Sequence, residues 1–334
     1  MKSRLFLFLS LFLAALPAFA QHSAEQFLGR WTLHLPGGAG WLEVRYDDDE
    51  LDASLLWYGG SVLPVENAYV SGDTLTVTRE STFRSASGEV TRTVTSRFEM
   101  HLENDQLIGA ATLPQRGGRT RTIPFTGDRI PNLPPAPDLS LVQYAEPVSL
   151  FNGQDLSGWS LINPEQKNGF KAEDGILVND PVQPENGEHI SYGNLRTDAT
   201  FEDFRLTLEV NVPEGSNSGV YLRGIYEIQV ADTYGKPVDS HNMGGLYSRI
   251  TPSVAAEKRA GEWQTMDITL YKRHLTVVLN GTKIIDNQPV LGVTGGAMSA
   301  NEHAPGPIYL QGDHGRVLYR NMVLTPITGT DHNN

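Results

Sequence analysis

Along residues 27–128, apolar and polar side chains alternate in short runs: WTLHL, WLEVRY, DASLLWY, NAYV, TLTVTR, TSRFEMHL, QLIGAATL and TIPFTGD. A period of two sends successive side chains to opposite faces of an extended chain, so each run predicts a half-buried strand. Turn-forming residues separate the runs at Pro36-Gly37-Gly38, Ser71-Gly72-Asp73, Ser87-Gly88 and Arg116-Gly117-Gly118. Regular spacing without a helical period predicts an antiparallel meander or small closed barrel, with Trp31 as a plug of its core. No chemistry is assigned to this region.

Between Ile130 and Pro147 the chain reads IPNLPPAPDLSLVQYAEP. Its prolines remove ladder donors and favour an extended connection. The division that follows is a β domain over 21–130, a linker over 131–147, a second β domain over 148–328 and a tail over 329–334. In the second domain FRLTLEVNV turns Phe204, Leu206, Leu208, Val210 and Val212 to one face. LTVVLNGTKIID predicts a hairpin whose Asn280-Gly281 pair supplies positive φ angles. IYLQ and VLYRNMVL add late strands, whereas PSVAAEKRAGEW (252–263) predicts a turn or two of helix before Gly261. The fold class expected is all-β: the second domain is a two-sheet antiparallel sandwich with one concave polar face, anchored by Trp159 and Trp263.

Composition narrows the partners. The 334 residues carry a net charge of -13, which disfavours nucleic acid and anionic membranes and leaves a neutral small molecule easier to accept. The opening MKSRLFLFLSLFLAALPAFA has Lys2 and Arg4, an apolar run and Ala18-Phe19-Ala20, the pattern of a cleaved signal peptide over residues 1–20. The run is short of the ~20 apolar residues a membrane span needs. A periplasmic or secreted protein with no membrane span is expected. With no cysteine in the chain, a processed lipid-bearing Cys, disulfides, thiolate metal sites and a Cys nucleophile are excluded.

One ribbon concentrates chemistry. In NSGVYLRGIYEIQVAD, Val220, Leu222, Ile228 and Val230 share one parity, while Tyr221, Arg223, Glu227 and Gln229 share the other. A phenol, a guanidinium, a carboxylate and an amide on one strand face mark a candidate ligand surface.

SLFNGQDLSGW, EGSNSGVYLRGIYEIQVADT, GEWQTMDI, LNGTKIID and PIYLQGDHGRVLYRNMVL resemble, in order and spacing, the secreted bacterial family called the 3-keto-disaccharide hydrolase domain, over about residues 148–328. FLGRWTL, with Gly29 and Trp31, resembles the first strand of lipocalin-like barrels. The resemblances imply a lipocalin-like meander or barrel followed by a concanavalin-like jelly roll that cleaves 3-keto-glycosides, by elimination or net hydrolysis. A ketone at C3 acidifies the C2 proton, and the enolate then expels the group at C1. Such a site needs a base, a donor to the enolate oxygen and an acid at the leaving oxygen, and each proton transfer contributes ~10²–10⁴ in rate.

Arg223 offers a planar fork to the enolate or to sugar hydroxyls, or else pairs with Glu227. Tyr221 either stacks on a pyranose or finds a single buried partner. Gln229, Gln311 and Asn217 are candidate sugar ligands. His314, in LQGDHGRV, is the first choice for base or acid, and Asp313 orients it or is solvated. His241, in DSHNMGGLYS, is a second choice, on a loop able to close over a ligand. His189, His274 and His303 carry no assignment. Glu227, Gln229 and Asp232 occupy the offsets of the laminarinase-type Glu-x-Asp-x-x-Glu motif, but the amide at 229 lacks the central charge. Glu227 and Asp232 are therefore candidates for acid, base or hydrogen-bond anchor. No cofactor is called for: Asp232, His241 and His314 are the residues that would ligate a metal, and their long separations specify no site. The alternatives are a non-catalytic carbohydrate-binding sandwich and a laminarinase-like glycosidase.

Overall fold

The computed structural model describes residues 24–85 and 87–330. The expected signal peptide at 1–20 and the last residues of the tail lie outside them. Among the described residues no helix is long and apolar enough to cross a membrane.

The alternating runs at the start of the chain form one sheet. Its order of pairing is Leu63–Pro64, Glu50–Trp57, Gly38–Asp47, Gly29–Leu35, Thr120–Arg129, Gln106–Pro114, Val90–Glu103, Thr74–Arg84 and Asn67–Ser71. The two outermost members are consecutive in sequence. Between them the Val65 amide donates to Ala53 O (3.1 Å) and the Glu66 amide to Thr78 O (3.0 Å), so one continuous stretch of chain pairs with both ends of the antiparallel meander. Trp31 is fully buried, its Nε1 donates to Phe27 O at 2.8 Å and the Arg129 guanidinium lies 4.1 Å from its ring centroid. It is a core plug.

By compactness the chain divides into two units. The first holds Met1–Trp31, Leu42–Ser54 and Pro64–Arg129, and the second holds Thr32–Trp41, Leu55–Leu63 and Ile130–Asn334. The second unit is a two-sheet antiparallel sandwich. One sheet runs Phe170–Glu173, Ile176–Asn179, Val317–Thr330, Phe204–Asn211, Trp263–Tyr271, His274–Leu279 and Thr282–Pro289, and the proline-rich stretch adds Val142–Tyr144 alongside Val317–Thr330. The other runs Trp159–Leu161, Leu195–Thr197, Tyr309–Leu310, Asn217–Leu222 and Tyr226–Ala231.

Phe204, Leu206, Leu208 and Val210 are buried while their odd neighbours are not. They meet Val220, Leu222, Ile228 and Val230 of the second sheet in one cluster. Each such side chain contributes ~1.5–3 kcal/mol on leaving water. The cluster also takes in Ala39, Trp41 and Leu56, and Trp41 Nε1 donates to Leu291 O at 2.9 Å. That burial explains why these early segments belong with the sandwich. Asn280 and Gly281 adopt φ of 51° and 81°, the paired left-handed values of the expected hairpin.

Two local expectations are corrected. Residues 252–263 form no helix, because side chains take up the backbone groups. The Lys258 amide donates to Gln264 Oε1 (2.8 Å) and Ala256 O accepts from Asn280 Nδ2 (2.9 Å). Trp159 is a core residue, but Trp263 is only half-buried, with the Arg320 guanidinium 3.9 Å from its ring centroid.

Candidate active site

The chemistry-bearing ribbon is a hairpin. Asn217–Leu222 pairs with Tyr226–Ala231 so that Tyr221 stands opposite Glu227 and Gly219 opposite Gln229. Parity turns Tyr221 and Glu227 away from the core into a cavity of about 320 Å³. Asn217, Gln311 and His314 line it with them, and Tyr247 and the glycine pairs Gly59-Gly60 and Gly295-Gly296 complete the wall. Gly219 makes room for the acid: a Cβ there would lie 2.5 Å from Glu227 Oε1.

Glu227 is 4% exposed. Burial pushes its carboxyl up to about 8, against an opposing hydrogen bond from Tyr221. Its amide is fixed by Thr294 Oγ1 at 2.8 Å. The Tyr221 hydroxyl lies 2.8 Å from both Glu227 Oε2 and Gly295 O. Its ring stacks on Tyr309 with centroids 3.8 Å apart, and Tyr309 donates to Gly296 O at 2.8 Å. The two phenols thus hold consecutive carbonyls of one loop, and burial raises both pKa values well above the ordinary phenol.

Gln311 is fixed by its backbone: its amide donates to Gly219 O (3.0 Å) and its carbonyl accepts from Ser218 Oγ (2.8 Å). Its Oε1, like Asn217 Oδ1, is buried without a hydrogen-bond partner. Two orphaned acceptors on one cavity wall fit a ligand rich in hydroxyl donors. The turn carrying His314 is held from below by Asn179 Nδ2, which donates to Gly312 O and Gly315 O, both at 3.0 Å. The imidazole itself is exposed at the cavity wall.

The remaining sequence candidates lie elsewhere. Arg223 falls at the hairpin turn with φ of 55°, which breaks the strand parity. It donates to Glu302 O (2.6 Å) and Ala304 O (2.6 and 3.1 Å) and forms no pair with Glu227. Gln229 is buried beside the loop that pairs with its strand, and its Oε1 accepts from the Val230 amide at 3.1 Å. Asp232 accepts from the Gly215 amide at 3.0 Å and does not line the cavity with Glu227. Asp313 accepts from the Tyr192 amide at 2.9 Å and lies 3.6 Å from His189, so it braces that loop rather than His314. His241 stands behind the wall, with Nε2 2.8 Å from Ser61 Oγ and its ring edge-on to Tyr247 at 4.8 Å. Among the described residues no three His, Asp or Glu side chains group as metal ligands.

Tyr309, Tyr247 and the two glycine pairs were not singled out from sequence. Tyr247 belongs to the DSHNMGGLYS loop, which runs along the second hairpin strand through Gly244 N to Gln229 O (2.9 Å) and Tyr247 N to Glu227 O (3.0 Å). The glycine pairs carry no side chain for a sequence pattern to register. A second buried polar cluster lies off the cavity: Glu302 pairs with Arg273 and accepts from the Tyr226 hydroxyl at 3.2 Å.

Among solved structures the chain is similar to a candidate glycosyl hydrolase from Parabacteroides distasonis, at 27% identity and TM-score 0.45, covering 58% of this chain and 91% of that one. It is also similar to a β-porphyranase from Bacteroides plebeius, at 12% identity and TM-score 0.35 over 58% and 94%. A third is a carbohydrate-binding module from Bacillus subtilis, at 12% identity and TM-score 0.31 over 49% and 93%. No curated protein matches the chain. Residues 146–325, just over half of the chain, match the 3-keto-alpha-glucoside-1,2-lyase-like domain, and the protein belongs to that carbohydrate-active family.

Proposed function

We propose that the protein cleaves the glycosidic bond of 3-keto-glycosides by removing the C2 proton and expelling the C1 substituent. The observation that carries this reading is a buried carboxyl in a sugar-sized cavity: Glu227, bonded to Tyr221 and sharing the cavity with Asn217 and Gln311, whose amide oxygens have no protein partner. A carboxyl held up to about 8 is a proton donor at neutral pH, which suits an acid for the leaving oxygen. His314, on the same cavity, is the base that takes the C2 proton. Asn217 and Gln311 accept from ring hydroxyls, and the amide NH₂ of the same side chains supplies donors to the ketone as it becomes an enolate.

Elimination needs one acid and one base and no second carboxylate, which agrees with the position of Asp232 outside the cavity. A double displacement of the laminarinase type needs two carboxyls about 5–5.5 Å apart, and the cavity offers Glu227 alone. A binding module with an exposed stacking platform is also less favoured, because the Tyr221–Tyr309 stack is buried. We further infer export from the cell, on the leader-like start of the chain.

The test is to incubate the protein with a 3-keto-glucoside and its un-oxidised parent in D₂O and follow both by NMR. Cleavage of the keto sugar alone, through a glycal or with deuterium at C2, is expected. Cleavage of the parent would restore paired-carboxylate hydrolysis, and saturable binding without turnover would leave a binding module.

A further inference from the structure

The family match begins at residue 146, yet one wall of the cavity is Gly59-Gly60, almost ninety residues upstream. The segment Leu55–Leu63 is part of the second unit and is fixed residue by residue. Tyr58 O accepts from the Gly296 amide at 2.9 Å. Ser61 Oγ lies 2.8 Å from His241 Nε2, and the Val62 amide donates to Ser248 Oγ at 2.9 Å. Between these anchors the Gly60 backbone lies so close to Gly295 that a Cβ on Gly295 would stand 2.2 Å from Gly60 O. The segment therefore joins two loops, Gly295-Gly296 and 240–248, that both line the cavity.

We propose that Leu55–Leu63 is a specificity-determining wall that sets how large a glycoside the site accepts, restricting it to short ones such as disaccharides. This rests on the cavity being the site of 3-keto-glycoside cleavage. Two observations support it. The cavity, at about 320 Å³, is at the small end of the ~300–1,000 Å³ typical of small-molecule sites, a fit for one or two sugar rings. The wall is also a backbone surface without side chains at the point facing the ligand. A Cβ built on Gly59 or on Gly60 meets no atom within 4 Å, and only Gly60 needs a positive φ (75°). Side chain added at Gly59 thus enters open space without backbone strain, at a position that sequence change can retune.

The experiment measures kcat/KM of the wild type, Gly59→Ala and Gly59→Leu on three substrates oxidised at C3 of the terminal ring: a methyl glucoside, a disaccharide and a tetrasaccharide. The wild type is expected to prefer the disaccharide to the tetrasaccharide by at least tenfold. Gly59→Leu is expected to raise the methyl-glucoside to disaccharide ratio by ~10–200-fold, the range for a few methylenes placed in a tight pocket, and Gly59→Ala by about threefold in the same direction. Circular dichroism establishes that each variant is folded; should Gly59→Leu not fold, Gly59→Ala, whose methyl meets no neighbour, reads the same ratio. Folded variants with an unchanged ratio, or a wild type that cleaves the tetrasaccharide as well as the disaccharide, overturn the wall while leaving the reaction intact. A wild type inert toward all three removes the proposed reaction, and the wall's role in it.

Discussion

Glu227 and Tyr221 face each other across neighbouring strands, with carboxylate Oε2 and phenol oxygen 2.8 Å apart, and the same phenol lies 2.8 Å from Gly295 O. A phenol has one hydrogen to donate. Were Glu227 ionised, that hydrogen could serve the carboxylate or the Gly295 carbonyl, and the other buried acceptor would be left short. With Glu227 protonated, no buried charge depends on that single hydrogen, and the phenol is free to serve Gly295 O. Hydrogen-bond counting and the elevated Glu227 pKa agree on a neutral acid at pH 7. The pair is a loaded proton donor tied to a loop that lines the same cavity.

Replacing the acid separates its catalytic role from its cost to stability. Glu227→Gln is expected to lower kcat by ~10²–10⁴, the worth of a positioned proton transfer. Asp232→Asn, whose native oxygen binds the Gly215 amide outside the cavity, is expected to stay within about threefold of the wild type. Steady-state rates on a 3-keto-glucoside decide this; equal losses in both variants would point to a carboxylate pair.

The same variant has a stability signature. In the folded chain Glu227 releases its proton near 8, and in the unfolded chain near 4.5. Between those values the folded state holds a proton the unfolded state has lost, so stability declines as pH rises from about 4.5 to about 8. The amide does not titrate. Glu227→Gln is therefore expected to gain in Tm over the wild type between pH 5 and pH 9, by an amount corresponding to a few kcal/mol at ~1.4 kcal/mol per unit. A Tm difference that is flat with pH would place the Glu227 pKa near its ordinary value.

Tyr221→Phe removes the hydrogen bond that opposes the burial of Glu227. The carboxyl then moves higher still. The alkaline limb of the kcat profile, expected near pH 8 in the wild type, shifts to higher pH in this variant, with a fall in rate at neutral pH of about tenfold. A limb that does not move would mean that it reports a different group.

How much of this was legible in sequence follows from what a period of two can encode. It placed Phe204, Leu206, Leu208 and Val210 in the core and put Tyr221 and Glu227 on one face, because both sets lie inside strands. It misassigned Arg223, since parity is lost where the chain turns and φ becomes positive. It could not reach Gly59-Gly60, whose place at the site depends on contacts more than two hundred residues away, or Tyr309, placed by its stack on Tyr221. Asn217 and Gln311 were candidates by neighbourhood, but their unsatisfied oxygens are a property of packing. The early segments that join the sandwich through Trp41 and Leu56 read as ordinary strand residues in one dimension.

The two orphaned amide oxygens predict a binding effect distinct from the proton-transfer effects. Asn217→Ala or Gln311→Ala is expected to raise KM for a 3-keto-glycoside by about tenfold, with a smaller fall in kcat. Each lost hydrogen bond to a hydroxyl contributes ~0.5–1.5 kcal/mol. In the absence of ligand these variants are expected to be as stable as the wild type or slightly more so, because each removes a buried oxygen with no protein partner. Thermal denaturation with and without a sugar ligand checks both halves; a large loss of stability without ligand would identify the amides as structural.

The closest backbone approach at the cavity makes the last prediction. Gly295 and Gly296 lie between the Tyr221–Tyr309 stack and the Gly59-Gly60 segment. A Cβ at Gly295 would stand 2.2 Å from Gly60 O, and one at Gly296 2.8 Å from the Tyr221 hydroxyl. Gly60 O is backbone and cannot swing aside, whereas the Tyr221 hydroxyl is the end of a side chain. Gly295→Ala must therefore separate the two loops. The cost is at least the ~1–3 kcal/mol of an overpacked core site. Gly296→Ala adds strain of its own, because φ there is 78°, and it pushes the phenol off Gly295 O and Glu227. Both variants are expected to lose several degrees in Tm, while Gly59→Ala, at the same cavity but with open space around its Cβ, is expected to lose less than one degree. Gly296→Ala is expected to change the pH profile as Tyr221→Phe does, since it acts on the same hydrogen bond. Equal stability losses at all three glycines would mean that the contact between these loops does not set the cost.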